Sequence, residues 1–403
     1  MVRLKAFALS AALATTPAVA QQKTPDAPTS GPDIVVTGMS LKDAKAALAT
    51  CIAQHCPPDK DVDATLAVAE TQFVAGKYKN ARDTMLKSIG RNKRFASAYP
   101  VPVSDLLRAN SRVAAHLGEQ DAYFSGALDV LSALKAGLPA DDQRVLGAQV
   151  ELGDAYAKTG RLDAAVEMYR KIARRARDLH LPGIQGYALL RVVAVYAASS
   201  QLRDDGNYTA AIRAANALIA DPDPAMAPFS KAARVLKLKL DIRRGGDPAA
   251  VDRLVAEYRA GTGTTPILLY APKVEFAQRA IQSDQGGETL NRMLLDAVDD
   301  QWVDISFEVQ PDGKVGDVEV LRKSDKLSGD WIKPILTAIS GRRYAPPAAN
   351  SASALRVERY TFTAPWTTVT GTRLRVRAPV PQVESIDLSR DPAPPPPATS
   401  TPS

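Results

Sequence analysis

The residues with the most reactive side chains are scarce in this chain: it has two cysteines and three histidines among 403 residues. Cys51 and Cys56 are followed directly by Pro57 and Pro58. Their spacing fits a local disulfide at the end of a helix, whereas a redox pair would need C-x-x-C spacing and a βαβ context. So few His and Cys ligands do not suffice for a closed zinc, iron–sulfur or haem site. We therefore predict a disulfide between Cys51 and Cys56, and no metal and no cofactor.

Four acidic residues near the cysteines have the spacing of calcium ligands. Asp59, Asp61, Asp63 and Glu70 match oxygen-ligand positions of a calcium-binding helix–loop–helix. The sixth position of such a loop is a glycine that makes a sharp turn, and in this chain it is Ala64. Because a helical pattern begins at Ala64, Asp63 fits better as a helix N-cap. We favour the cap, and calcium is the alternative.

The sequence shows no motif typical of an enzyme. It has no serine elbow, no histidine with a carboxylate in a recognisable motif and no phosphate-binding loop. Gly261-Thr262-Gly263 is too short to cradle a phosphate and precedes a segment interrupted by prolines, which favours a linker turn. We predict that the protein is not an enzyme, with an unrecognised enzyme as the least favoured alternative.

The amino terminus predicts export. Residues 1–20 have a basic start, an Ala/Leu-rich stretch and Ala18-Val19-Ala20 before Gln21, which is the pattern of a cleavable signal peptide. No apolar run reaches the roughly 18 residues of a spanning helix. Lys and Arg are interspersed with acidic residues despite a net charge of +7, which disfavours nucleic acid as a partner. We expect a periplasmic protein without an integral membrane span in the mature chain; a leader kept as an anchor is the alternative.

Residues 41–262 have the periodicity of paired helices. The clearest unit contains Leu152, Gly153, Tyr156, Gly160, Leu162, Ala165, Tyr169 and Ile172. The spacing returns at residues 69–88 and more loosely at 206–215, and further helix pairs are predicted at 103–136 and 232–260. These units resemble the tetratricopeptide repeat. The resemblance implies an α-solenoid of four or five hairpins, which either holds another polypeptide on its concave surface or acts as a spacer for the C-terminal domain.

After residue 300 the apolar period changes from helical to alternating. Val303, Ile305, Phe307 and Val309 alternate with polar residues, Pro311-Asp312-Gly313-Lys314 turns the chain, and Val318 and Val320 continue the alternation in a second strand. A helix with an apolar stripe from Trp331 to Ile339 follows, and then a last strand at 355–363. The fold class is thus multidomain: an α-solenoid of tetratricopeptide-like helical hairpins plus a small α+β domain of strand–strand–helix–strand order. The apolar residues of the last strand change parity, which indicates a bulge or a strand packed on both faces.

The motifs of this second region are specific. They are Phe307-x-Val309-x-Pro311-Asp312-Gly313, Arg343-Tyr344-x-Pro346-Pro347 and Tyr360-x-Phe362. Across residues 300–366 they resemble the C-terminal domain of the TonB family of energy transducers. The resemblance implies a periplasmic domain that captures the N-terminal box of outer-membrane receptors by adding it as a strand to a sheet edge. The matching edge is 355–363, with the partner-binding residues Leu355, Val357, Arg359, Tyr360 and Phe362.

A second segment resembles the guest of such a domain. Asp33, Ile34, Val35, Val36 and Thr37 follow a flexible stretch and are similar to the TonB box of many receptors. This segment could pair with the edge at 355–363 or address the protein to a TonB transducer; a short edge strand or a sticky linker is the alternative.

The resulting domain organisation has six parts. They are a signal peptide at 1–20, a flexible linker with the box-like strand at 21–40, helical repeats at 41–262, a linker at 263–300, a TonB-like domain at 301–378 and a Pro-rich disordered tail at 379–403. We predict that the protein binds other envelope proteins, as an accessory in TonB-dependent transport across the outer membrane. TonB-dependent receptors or a TonB transducer are the expected partners. The alternative is an envelope scaffold with no transport role.

The predicted disulfide can be tested by thiol labelling. In the exported protein, denatured without reductant, we expect no labelled thiol, and two labelled thiols after reduction. Two labelled thiols before reduction would contradict the pairing of Cys51 with Cys56.

Overall fold

The structure is a computed structural model that describes residues 39–200, 205–247, 249–258, 266–272, 274, 298–345, 355–368, 373–378 and 381–389. Helices fill the first part of this range. They are α1 (Leu41–Ala53), α2 (Pro58–Val74), α3 (Tyr78–Asn92), α4 (Pro100–His116), α5 (Gln120–Gly137), α6 (Gln143–Lys158), α7 (Leu162–Asp178), α8 (Pro182–Ser199), α9 (Asp205–Ile219), α10 (Ala227–Arg243) and α11 (Ala250–Tyr258). Consecutive helices pack on each other along the chain. The predicted series of helices followed by a sheet is therefore present.

The helix pairs pack through the small residues that the sequence singled out. Ala165 is fully buried, and a Cβ atom on Gly153 would lie 2.5 Å from the Tyr169 ring. The Tyr169 hydroxyl donates to an Asp154 oxygen at 2.6 Å. The missing side chain at 153 thus makes room for an aromatic ring in the core between α6 and α7.

The cysteines and the acidic residues beside them lie at the start of this array. Cys51 and Cys56 form a disulfide with their Cα atoms 5.1 Å apart. The Asp61 carboxylate accepts two hydrogen bonds from Arg91, each 2.7 Å long. Burial opposes its ionisation, but hydrogen bonds led by that from Arg91 lower the pKa of Asp61 to about 2. Asp61 therefore joins α2 to α3 through an ion pair.

The strands form the C-terminal part. They are β1 (Ile267–Tyr270), β2 (Gln301–Val309), β3 (Val315–Lys323), β4 (Arg343–Ala345), β5 (Leu355–Thr363), β6 (Trp366–Thr368), β7 (Arg375–Arg377) and β8 (Gln382–Asp387), with helix α12 (Ile332–Ser340) between β3 and β4. The main sheet is antiparallel and has the order β3-β2-β5-β8. Two strand pairs, β1 with β4 and β6 with β7, stand beside it.

Two strands lie where the sequence predicted none. β1 falls in the range predicted as a linker and pairs with β4. β8 falls in the range predicted as a disordered tail, and it pairs with β5 over six residue positions. The prediction of disorder is wrong for residues 382–387. It was based on the proline-rich composition of the tail, whereas main-chain hydrogen bonds to β5 stabilise a strand there.

The main sheet is packed on both faces. One face carries Val303, Ile305, Phe307 and Tyr360 and packs against α12. The other face carries Trp302, which belongs to the core cluster formed by α2, α3 and α4. The helices and the sheet accordingly lie in one compact unit, Met39–Ser403.

The turns between α2 and α3 and between α6 and α7 provide a test of this packing. Gly76 and Gly160 have left-handed backbones, with φ values of 73° and 79°. A Cβ atom on Gly76 would lie 2.0 Å from Trp302 Nε1, whereas on Gly160 it would meet no atom within 4 Å.

We expect Gly160→Ala to lower the free energy of unfolding by ~1 kcal/mol, because it introduces backbone strain alone. Gly76→Ala adds a collision with the indole of Trp302, and we expect it to cost a further ~2 kcal/mol. Urea unfolding of both variants measures the difference. Equal losses would show that the sheet does not pack on this turn.

Candidate functional site

The edge predicted to bind a partner strand is occupied. β5 pairs with β2 from Leu355 to Phe362 and with β8 from Glu358 to Thr363. Beyond β8, Leu388 donates its amide to the Val357 carbonyl at 2.8 Å, and Ser389 Oγ accepts from the Val357 amide. The prediction that β5 is an open edge is therefore wrong: residues of the same chain take the hydrogen bonds that a guest strand would need.

The five predicted edge residues lie on opposite faces of β5. Tyr360 and Phe362 face the core with α12, where Phe362 stacks on Trp331 with ring centroids 5.3 Å apart. Arg359 points to the helices, and Leu355 is 46% exposed at the end of the strand. The register between β2 and β5 has no bulge, so the parity change along β5 reflects packing on both faces.

Arg359 is the central polar contact between the sheet and the helices. Its guanidinium donates to both carboxylate oxygens of Asp304, at 2.6 and 2.9 Å, and both side chains are fully buried. It also donates to the carbonyl oxygens of Phe73 and Val74 at the end of α2, at 2.5 and 2.7 Å. The Trp302 ring centroid lies 4.0 Å from the guanidinium carbon. Arg359 thus binds a carboxylate, a helix C-terminus and an aromatic face together.

A second arginine makes a similar contact at the turn between α4 and α5. Arg377 donates to the Leu117 carbonyl oxygen at 2.9 Å and lies 4.1 Å from the Trp366 ring centroid. The Trp366 amide donates to the Gly118 carbonyl oxygen at 3.0 Å. The C-terminal part therefore binds the ends of both α2 and α4.

A buried histidine completes this interface. His116 Nδ1 and the Tyr78 hydroxyl each lie 2.9 Å from Thr361 Oγ1 on β5. The Phe73 ring meets the His116 ring edge-on at 5.0 Å. Burial lowers the pKa of His116 to about 4, and Lys158 and Arg359 add to the effect. The imidazole is therefore neutral at pH 7.

The outer edges of the main sheet are β3 and β8. Among the described strands β3 pairs with β2 alone, with register shifts at two places. Val320 and Leu321 on β3 are each 42% exposed. β8 is held at its helix-facing side by Glu384, whose carboxylate accepts from Lys158 Nζ at 2.6 Å. Of the two, β3 presents the more exposed apolar surface.

The remaining predicted features are placed as follows. Asp33, Ile34, Val35, Val36 and Thr37, like the predicted signal peptide, lie outside the described residues. In the part of the chain that is described, no helix has the length and apolar character needed to cross a membrane.

Sequence reasoning missed the roles of Asp304 and His116. The alternation along β2 predicts that its polar residues face outward, and the burial of Asp304 becomes visible only when a second apolar surface covers that face. The available signal was the parity change along β5, because a strand packed on both faces requires a second covering layer.

The buried histidine predicts a pH dependence of stability. The pKa of His116 is lower in the folded protein than its ordinary value of 6.5, so the unfolded chain binds the proton more readily. Stability is then fully present above pH 6.5 and falls as the pH drops toward 4. From pH 7.5 to pH 5 we expect His116 to account for a loss of about 2 kcal/mol.

The measurement is urea unfolding at both pH values for the wild type, His116→Asn and His180→Asn. His116→Asn should be less stable at pH 7.5 and have a smaller pH dependence. His180 is exposed, so its variant should keep the wild-type dependence. An unchanged slope in His116→Asn would contradict the assignment.

No protein-family model matches this chain, and no curated protein matches it either. Statements about function therefore depend on the chain's own residues and geometry.

Proposed function

We propose that this chain is a periplasmic protein-binding adaptor, composed of tetratricopeptide-like hairpins and a TonB-like C-terminal domain, that binds an extended segment of another envelope protein by strand addition to β3. The observation that carries the proposal is the exposure of β3. It is an edge strand of the main sheet, and Val320 and Leu321 leave 42% of their surfaces exposed. Main-chain hydrogen bonds to such an edge supply affinity with little demand on the guest's sequence.

The residues of β3 favour selective binding of one guest strand over others. It carries the charged residues Asp317, Glu319, Arg322 and Lys323, and the two register shifts against β2 interrupt its pleat. Charges and bulges of this kind prevent indiscriminate pairing between sheet edges. Arg322 on β3 is held by Asp304 at 2.6 Å, while Glu319 and Lys323 have no ion-pair partner among the described residues. A guest strand with an acid opposite Lys323 and a base opposite Glu319 would be preferred.

The helical array supports the proposal as a rigid base. Because the second face of the sheet is fixed on α2 and α4, strand addition at β3 would not require the sheet to reorganise. In this role residues 33–37 address the protein to a TonB transducer or compete for a sheet edge. TonB-dependent receptors and such a transducer are the partners that we propose.

A second candidate function is an envelope scaffold with no transport role. The occupied outer side of β5 favours it, because the edge that corresponds to the receptor-binding edge of the TonB family is covered by β8. A scaffold would present the helical array to partners and leave β3 unpaired.

Site-specific photo-crosslinking in intact cells distinguishes the two functions. A crosslinker in place of Val320 should capture an envelope protein through an extended segment, and the Leu321→Lys variant should reduce that capture at least fivefold. A crosslinker in place of Leu128 on α5 is the matched control, since Leu128 is 43% exposed.

The captured segment is then synthesised with and without N-methyl groups on alternate amides. Strand addition predicts that methylation abolishes binding, because it removes the main-chain donors that pair with β3. Capture from position 128 but not from 320 would favour the scaffold. Undiminished binding of the methylated peptide would refute strand addition.

A further inference from the structure

Four described turns of the array have the same backbone. In each turn a glycine with positive φ follows the first helix of a pair: Gly76 after α2, Gly118 after α4, Gly160 after α6 and Gly245 after α10. The glycine amide donates three residues back, and the next amide donates five residues back, with N···O distances from 2.8 to 3.1 Å. This is the Schellman ending of a helix, and it leaves the last carbonyl oxygens pointing out from the negative end of the helix.

The first two turns are each occupied by an arginine of the C-terminal part. Arg359 binds the carbonyls of Phe73 and Val74, and Arg377 binds the carbonyl of Leu117. Each guanidinium also lies about 4 Å from a tryptophan ring, at 4.0 and 4.1 Å. Gly76 and Gly118 are buried as a result. The chain therefore uses one mode of recognition twice.

The third turn is open. Gly160 is exposed, and a Cβ atom placed on it would meet nothing within 4 Å. No donor among the described residues binds the carbonyl oxygens of Lys158 or Thr159. A cleft of about 220 Å³ adjoins the turn and is lined by Gly160, Asp163, Tyr196, Ser199 and Asn207, among others.

We propose that the third turn, residues 158–160 with the adjoining cleft, binds an arginine side chain of a partner polypeptide. The carbonyl oxygens at the end of α6 supply acceptors at the negative end of a helix. Asp163 supplies a carboxylate, as Asp304 does for Arg359, and it has no ion-pair partner in the part of the chain that is described. A planar guanidinium with five donors matches this set better than a lysine ammonium.

The position of the sheet indicates how a partner segment would arrive. β5 lies over the first turn through Arg359 and reaches the second through Thr361 and His116. β8 lies on the outer side of β5 and contacts the last turn of α6 through Lys158 and Glu384. On its other side β8 pairs with no strand among the described residues. A polypeptide that runs beside that side of β8 would therefore pass next to the third turn.

Three cations of the described chain lie near the turn. Lys158 Nζ is held by Glu384, and the Arg161 guanidinium lies over the Phe124 and Tyr156 rings, 4.6 and 5.7 Å from their centroids. The third borders the cleft. Arg170 lies 5.9 Å from the Tyr196 ring centroid and is 3.3 Å from its hydroxyl. Arg170 contacts Tyr196 and not the carbonyl oxygens at the end of α6, so those oxygens stay accessible. This site is separate from β3, and the proposed strand addition there can fail or succeed independently.

The test uses a peptide with the sequence of residues 373–378, which carries Arg377 to the second turn in the folded chain. Added to the full-length ¹⁵N-labelled protein, it should shift the amide signals of Thr159, Gly160 and Asp163. Replacing its third arginine with the neutral isostere citrulline should weaken binding at least tenfold.

Two exposed acids provide matched variants. Asp163 and Asp121 each lie three residues after the turn glycine, but the turn before Asp121 is already filled by Arg377. Asp163→Asn should weaken binding of the peptide at least fivefold, and Asp121→Asn should leave it unchanged. Both are exposed isosteric changes, and circular dichroism checks that both variants are folded.

Several results would overturn the proposal. Equal binding of the citrulline peptide, or equal effects of Asp163→Asn and Asp121→Asn, would exclude recognition of a guanidinium at the third turn. Free L-arginine binding as tightly as the peptide would indicate a small-molecule site.

Discussion

The buried ion pair between Arg359 and Asp304 is the interaction on which the arrangement of helices and sheet depends. Both side chains have no solvent contact, so each has lost its hydration. Such a pair adds little net stability by itself, but leaving either member unpaired in the interior is strongly unfavourable. The carbonyl oxygens of Phe73 and Val74 accept two further hydrogen bonds from the guanidinium. A sheet docked at another position on the array would leave those donors unsatisfied, so the pair specifies the register between the two parts.

This register determines which surfaces of the sheet are available. One face is committed to α12 and the other to the ends of the first helices in successive pairs. Strand β8 then completes the outer side of β5. Among the described residues, the surfaces that this packing leaves uncovered include the β3 edge at one end of the sheet and the turn at Gly160 near the other.

The same physical means recur along the interface. Helix C-termini, which carry partial negative charge, are matched with arginines, and aromatic rings cover the guanidinium faces. His116 is kept neutral by the same burial and by neighbouring cations. The interface therefore contains buried polar groups, and the neutral His116 makes its stability sensitive to acid.

Much of the fold follows from local patterns in the sequence. Helical spacing predicted the paired helices, because an amphipathic helix must place its apolar residues on one side, and Gly153 and Ala165 marked where two of them approach closely. Alternation predicted the hairpin of β2 and β3, and the turn Pro311-Asp312-Gly313-Lys314 located its tip.

Tertiary structure decided the rest. Whether β5 is an edge depends on β8, and β8 is a strand only because β5 offers its hydrogen bonds; no local property of residues 382–387 encodes that choice. Likewise the sequence by itself determined that Arg359 lies on a strand, but sequence alone predicts that a charged residue on that strand is exposed to solvent. Burial of that charge becomes possible only when the end of α2 approaches, because the carbonyl oxygens of Phe73 and Val74 then accept from the guanidinium. These carbonyls lie more than 280 residues from Arg359 in the chain.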